Sequence, residues 1–374
     1  MKTKISLILL AMGLASASAY AGTIETAPMP VSNDINVTAP DQSDMWSFGV
    51  TALLMQPIGG GLNYANSLDS ATTNGETAGD ISKNGVGQNY NWWFGADITY
   101  AFPGNGRDVM VAYEGMHSSN TNSTDSAVPR FDSITGGTSA GSLASPFRYS
   151  TNTLGSYNVD GGTFTDASGK VETNYDAGDL LFGQKLDVGS RVRLHPFAGV
   201  RYAHINLQGT GNYAGTYTTA TSSRSPATTY DITEVGKLNS TFNGIGPRFG
   251  SDAQVNLGQG FSVRGRLGLS ALIGTRDANN SFIDSYYGTT GATAGTLVAT
   301  DAQSADTDSQ TRVVPEIDGR LALAYTYAFD TDMALGVEAG WQAENYFNSS
   351  INANANTANF ALQGPYARLQ FDVA

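Results

Sequence analysis

Apolar and polar residues alternate along this chain with a period of two, over segments longer than ordinary strands. From Met45 to Gln56, Trp46, Phe48, Val50, Ala52 and Leu54 share one face, and Ser47, Gly49 and Thr51 share the other. This is strand geometry, because successive side chains on a strand point to opposite sides. Tyr90 to Phe102 repeats it, with Trp92, Phe94, Ala96, Ile98, Tyr100 and Phe102 against Gly95, Asp97 and Thr99. Pro103-Gly104-Asn105-Gly106 predicts a tight turn. Arg107 to Ser118 then returns with Val109, Val111 and Tyr113 against Glu114.

The same hairpin pattern recurs to the end of the chain. Leu180, Phe182, Leu186 and Val188 lead into a turn at Asp187–Ser190, and the return sets Leu194, Pro196, Ala198, Val200 and Tyr202 against Arg193, His195 and Arg201. Ile245, Phe249, Ala253, Val255 and Leu257 oppose Arg248, Asp252, Gln254 and Asn256. After Gly258-Gln259-Gly260, Phe261, Val263, Leu267, Leu269, Ala271 and Ile273 oppose Arg264, Arg266 and Ser270. Ile317 to Phe329 oppose Glu316, Asp318 and Arg320, and Met333 to Trp341 oppose Glu338, Gln342 and Glu344. The last strand sets Ala367, Leu369, Phe371 and Val373 against Tyr366, Arg368, Gln370 and Asp372. Ten strands are predicted, or twelve if 119–171 hides one more hairpin. Short turns alternate with long Gly/Ser/Thr/Asn-rich stretches at 57–88, 119–171, 209–238, 276–310 and 347–359.

The uniform apolar face and the charged opposite face decide the fold class. A soluble sandwich or β-helix has strands of about 5–6 residues as a rule, shorter than these. Charge confined to one face suits a sheet whose other face meets lipid, where Arg or Lys costs about 2–4 kcal/mol at mid-depth. A sheet in lipid must close, because no backbone group there can be left unpaired. The expected fold is an all-β, transmembrane, antiparallel up-and-down barrel with short periplasmic turns and long extracellular loops. Trp46, Trp92, Tyr100, Tyr327 and Trp341 stand toward strand ends, as interfacial girdles do.

The start of the chain supports export. Lys2 and Lys4 precede an apolar run, Ile5 to Leu14, and the small residues Ala15 to Ala21 offer cleavage after Ala21 or Ala19. That is the layout of a signal peptide at 1–21, the apolar core being too short for a spanning helix. Residues 22–44, with Pro28, Pro30 and Pro40, are expected to be a flexible periplasmic segment, and the barrel to occupy 45–374. Charged residues are 14%, well under the roughly 25% of a soluble domain, which agrees with a membrane location. The absence of Cys removes disulfide and thiolate chemistry. The net charge of −13 argues against a nucleic-acid partner.

Several segments together resemble the pore-forming major outer membrane protein family typified by Legionella. They are Met45-Trp46-Ser47-Phe48-Gly49 continuing to Pro57, Asn91-Trp92-Trp93-Phe94-Gly95, Pro196 to His204, and Phe242 to Gly250. The likeness spans nearly the whole mature chain except the loops. It implies a porin in the cell outer membrane, folded by the barrel-assembly machinery and surrounded by outer-membrane lipid. Its solutes would be small, hydrophilic and passively diffusing, with no catalysis and no cofactor; a homo-oligomer is possible. The chain departs from the family in two ways. The family's cysteine cross-links cannot form here, and the terminal aromatic of the assembly signal stands at Phe371, before Asp372-Val373-Ala374.

The candidate lumen residues are Asp97, Glu114, Arg201, Arg248, Asp252, Arg264, Arg266, Glu316, Asp318, Arg320, Glu338 and Arg368, with Glu344 and Asp372 on the same face. Facing charges can set ion preference in an open path, or pair and plug a narrow barrel. Ten strands leave both open, since eight are just filled by side chains and wide aqueous pores need about 16. The resemblance implies the path. Two other classes compete. An enzyme would need its site among His117, His195 and His204, and no G-x-S-x-G motif is present. Gly59-Gly60-Gly61 and Gly136-Gly137 lack the lysine and helix of a phosphate loop, and Asp301, Asp306 and Asp308 miss full calcium-loop spacing. An adhesin or receptor would work through the long loops, with the barrel as a closed anchor.

Overall fold

The computed structural model describes residues 37–40, 45–58, 63–73, 76–124, 143–144, 163–218, 228–289, 294–330, 332–351 and 357–374. The expected signal peptide and all but Val37–Pro40 of the segment up to Asp44 lie outside these residues, as do Gly59–Gly61 and Gly136–Gly137.

Ten of the described strands form the barrel wall: β1 (Met45–Ile58), β2 (Asn91–Ala101), β3 (Arg107–Thr124), β4 (Thr163–Gln184), β5 (Val192–Thr218), β6 (Thr229–Gly258), β7 (Phe261–Gly288), β8 (Leu297–Ala328), β9 (Met333–Ile351) and β10 (Thr357–Val373). Each pairs antiparallel with its chain neighbours, β4 included, which pairs with β3 on one side and β5 on the other. The ring closes where β10 meets β1, with Phe371 opposite Phe48 and Val373 opposite Trp46. Every wall strand therefore has two neighbours in the closed ring, as lipid demands, and among the described residues the stretch Leu297–Pro315 of β8, above the ring, pairs on its β7 side alone. A separate small sheet pairs Asn63–Thr73 with Glu76–Gly85 and with Leu143–Ala144. No further barrel hairpin stands between β3 and β4 among the described residues, so ten is the count and twelve is not realised.

Face assignments made from the pattern hold along the apolar half of the strands. Trp92 and Phe94 are 65% and 66% exposed while Trp93 between them is fully buried, so the outer surface is apolar and the inner one is packed. On β6, Ile245, Phe249, Val255 and Leu257 face outward, and Arg248 faces inward at 1% exposure. At the short-turn rim, rings of neighbouring strands meet: Trp46 with Tyr100 at 4.9 Å and Phe261 with Tyr325 at 4.9 Å.

Strand length is where the structure departs from the sequence reading. The stretches 209–238 and 276–310, expected as loops, are largely strand, since β5 runs to Thr218, β6 begins at Thr229, β7 runs to Gly288 and β8 begins at Leu297. β8 is 32 residues long, about three times the 9–11 that cross a bilayer. Beyond the apolar band the outward positions of β6 become Asp231, Thr233, Lys237, Asn239 and Thr241. Water hydrates that face, so the strands there need no apolar exterior and their alternation disappears from hydropathy. Asp301, Asp306 and Asp308 lie within β8 rather than in a loop, and their side chains are outside the described set.

Gly246-Pro247 and Gly364-Pro365 interrupt the ladder on one side of their strands. The β6–β7 and β10–β1 pairing is broken there, because proline donates no ladder hydrogen bond, and resumes in the same register. On the short-turn side Val37–Thr38 pairs with Leu186–Val188 in the β4–β5 connection. Pro40 packs on the Gly106 turn, where a side chain would stand 3.0 Å from its ring.

Candidate functional site

The inward residues of the wall stack in layers from the short-turn end to the loop end. The first layer surrounds a cavity of about 540 Å³. Ten of the twelve lumen residues expected from sequence line it: Asp97, Glu114, Arg201, Arg248, Asp252, Arg264, Arg266, Arg320, Glu338 and Arg368. Glu316 and Asp318 do not; they are buried behind Arg201 and Arg248.

Three ion pairs in this region share one construction. Asp97 on β2 stands opposite Gly49 on β1, and reaches over it to Arg368 on β10 at 2.7 Å. Asp318 on β8 stands opposite Gly268 on β7, and reaches over it to Arg248 on β6 at 2.8 Å. Asp108 on β3 stands opposite Gly183 on β4, and reaches over it to His195 on β5 at 3.0 Å. A Cβ on Gly49 would lie 2.6 Å from Arg368 Nη2, one on Gly268 2.8 Å from Arg248 Nη2, and one on Gly183 2.6 Å from Asp108 Oδ1. Glycine on the middle strand makes room for the bridge.

A second layer crosses the lumen. Arg201, 3% exposed, pairs with its cross-strand neighbour Asp179 at 2.9 Å and extends across the barrel. It meets Glu114 on β3 at 3.2 Å, Glu316 on β8 at 2.8 Å and Glu344 on β9 at 3.6 Å. Arg248 donates to Glu316 at 3.1 Å and to Ser270 Oγ at 3.1 Å. The Tyr175 hydroxyl donates to Glu344 at 3.0 Å and sits 2.7 Å from the Tyr346 hydroxyl. Two arginines thus hold together five buried carboxylates contributed by β3, β4, β8 and β9. Low dielectric strengthens each such bond and penalises the loss of any partner.

Beyond the charges the lumen turns apolar. Trp93, Phe242, Phe360, Leu53, Met55 and Leu272 pack with Tyr175 and Tyr346 in one buried cluster. Trp93 and Tyr175 rings lie 5.3 Å apart, and Tyr175 and Phe360 5.8 Å apart. The polar cavity therefore ends at the Arg201 network in this conformation, and an aromatic layer follows it.

The remaining sequence candidates fall in varied places. Asp372 accepts from Ser47 Oγ at 2.5 Å at the cavity mouth, and Glu338 pairs with Arg264 at 3.3 Å and bonds Tyr366. Of the three histidines, His117 and His204 face outward beside Asn174 and Asn243. His195 faces the lumen between Asp108 and Asp252, at 3.0 and 3.1 Å.

The whole barrel, and not only its charged lumen, matches a known group. The profile of the Legionella pneumophila major outer membrane protein precursor fits residues 38–373. The chain belongs to this family. Its place is the outer membrane. No curated protein matches the sequence. Among solved structures, the outer membrane protease OmpT of Escherichia coli aligns at 9% identity and TM-score 0.36, over 88% of this chain and 96% of OmpT. The P. putida toluene transporter TodX aligns at 9% identity and TM-score 0.26, over 90% of each chain. A Pseudomonas aeruginosa FadL homologue aligns at 8% identity and TM-score 0.26, over 88% of this chain and 90% of that one.

In this Legionella-type major outer membrane protein, several site residues escaped the sequence reading. Asp108, Asp179, Tyr175 and Tyr346 all face inward and all bond into the network. Parity could have placed all four on the inward face. Asp108 shares a face with Glu114, and Asp179 lies on the face opposite Leu180 and Phe182. No pattern in the chain marks the tyrosines as partners of Glu344, because that contact joins β4 to β9 across the barrel.

Proposed function

We propose that this protein is a narrow porin, passing small hydrophilic solutes and ions through the charged lumen without catalysis. The observation that carries this reading is the Arg201–Arg248 network. A barrel serving only as an anchor could fill its middle with apolar side chains, since exchanging a buried ion pair for packed hydrophobic groups is often neutral or stabilising. Here charge fills the middle of the lumen and continues into a cavity of about 540 Å³ toward the short-turn end. Passage requires the Arg201 network and the aromatic layer beyond it to move aside, so the reading is of a restricted path and not a wide aqueous one. Opposed guanidinium and carboxylate groups then orient solutes in transit. Single-channel recording of the refolded protein in a planar bilayer tests this, and discrete steps are expected.

A second reading has its own support. β5 to β8 extend 27, 30, 28 and 32 residues, far beyond the apolar band. A wall standing so far outside the membrane suits a surface receptor or adhesin on a closed barrel. A well-folded barrel that stays silent in the bilayer would favour this second reading.

A further inference from the structure

We infer that Arg264, Arg266 and Arg320 form a binding site for a small oxyanion, a carboxylate or a phosphate, on the wall of the lumen cavity. Arg266 on β7 and Arg320 on β8 are direct cross-strand partners with both side chains inward, and Arg264 lies two residues along on the same face. Like charges directly opposite one another destabilise a ladder unless an anion lies between them.

Protein carboxylates answer these cations only in part. Arg266 holds Asp252 through two bonds, of 2.5 and 3.0 Å, but Asp252 is shared with His195. Arg320 reaches Glu114 at 3.5 Å, and Glu114 is held more closely by Arg201 at 3.2 Å. Arg264 donates one bond, to Glu338 at 3.3 Å, and Glu338 also bonds Tyr366. A guanidinium carries five donors, so Arg264 and Arg320 keep most of theirs. Both side chains remain about a fifth exposed, at 23% and 22%, and both line the cavity.

The site is also built to hold its shape. The Arg266 guanidinium lies 5.3 Å over the Phe197 ring, and that of Arg320 lies 5.7 Å over Tyr366. The cavity lining carries eight Lys and Arg against seven Asp and Glu, in a chain with 20 against 33 overall. The lumen wall is thus cationic relative to the molecule, and its volume is that of a small-ligand pocket.

The test is isothermal titration calorimetry of the full refolded protein in detergent micelles, with inorganic phosphate and, separately, succinate. Saturable binding of at least one anion is expected. Removing one charge-assisted donor should weaken it about ten-fold in Arg264→Gln and in Arg320→Gln. Arg107→Gln, on the outer face beside Gln184, should bind as the parent does. No saturable binding of either anion, or equal affinity in all three variants, overturns the site. If Arg320→Gln fails to fold, Arg264→Gln decides alone. The inference deepens the porin reading by naming a solute class, yet the two fail separately. Binding with a silent bilayer removes the channel and keeps the site, whereas conductance without binding removes the site and keeps the channel.

Discussion

Gly268 stands directly opposite Asp318, and Arg248 reaches over it from the far strand to close an ion pair of 2.8 Å. The pair exists because the middle strand offers no side chain. Gly268→Val would fill that space and force Arg248 and Asp318 apart inside the barrel. Both groups are almost fully buried, so separating them should cost about 3 kcal/mol. Urea-unfolding midpoints of parent and variant, folded into the same vesicles, measure the difference. A variant as stable as the parent would show that the bridge is dispensable.

Arg201 answers for four carboxylates from β3, β4, β8 and β9. Arg201→Met leaves those carboxylates without their shared cation and should destabilise the barrel by about 3–5 kcal/mol. In whatever fraction folds, the carboxylates repel one another and the constriction should widen. Larger unitary conductance than the parent's is the expected reading, with the fold checked by heat-dependent mobility on a gel. Unaltered conductance would place the constriction elsewhere, in the aromatic layer.

Trp92 and Trp93 are chain neighbours with opposite fates, the first 65% exposed toward lipid and the second fully buried. Variants retaining a single tryptophan should separate them in vesicles of brominated lipid. Fluorescence from Trp92 alone should be strongly quenched, and that from Trp93 alone nearly untouched. Equal quenching would mean that the strand face is assigned wrongly.

Phe249 and Asn239 both point outward on β6, one in the apolar band and one above it. Phe249→Arg should lower the folding free energy in bilayers by about 2–4 kcal/mol, while Asn239→Arg should change it by about 1 kcal/mol or less. Reversible folding into thin-chain vesicles gives both values. Similar costs at the two positions would extend the lipid boundary up the β5–β8 wall.

Much of the barrel was legible in the chain because lipid imposes a strict rule on one face. Phe249, Leu269 and Leu323 must be apolar where they meet hydrocarbon, so the alternation with Arg248, Ser270 and Ala322 is visible without any structure. The same rule lapses above the band. Thr233, Lys237 and Asn239 meet water, and the upper halves of β5 to β8 read as loop for that reason alone. The charged lumen was legible as a set, since Arg201, Arg248 and Arg368 could only turn inward. Its pairing was not, because Arg201 and Glu316 are 115 residues apart in sequence.

The sequence by itself determined the strand faces within the apolar band, a count of ten or twelve strands, and the sign of the lumen charges that fall on those faces. Each of these follows from a period of two and from the cost of charge in lipid, which are local properties of the chain. Tertiary structure alone decided which acid meets which base, where the cavity ends, and why Gly49, Gly183 and Gly268 are glycines. Those outcomes depend on closure of the ring, which sets the stagger of strands and brings β5 opposite β8 and β9. Ring closure is a property of all ten strands together, and no segment of the chain carries it.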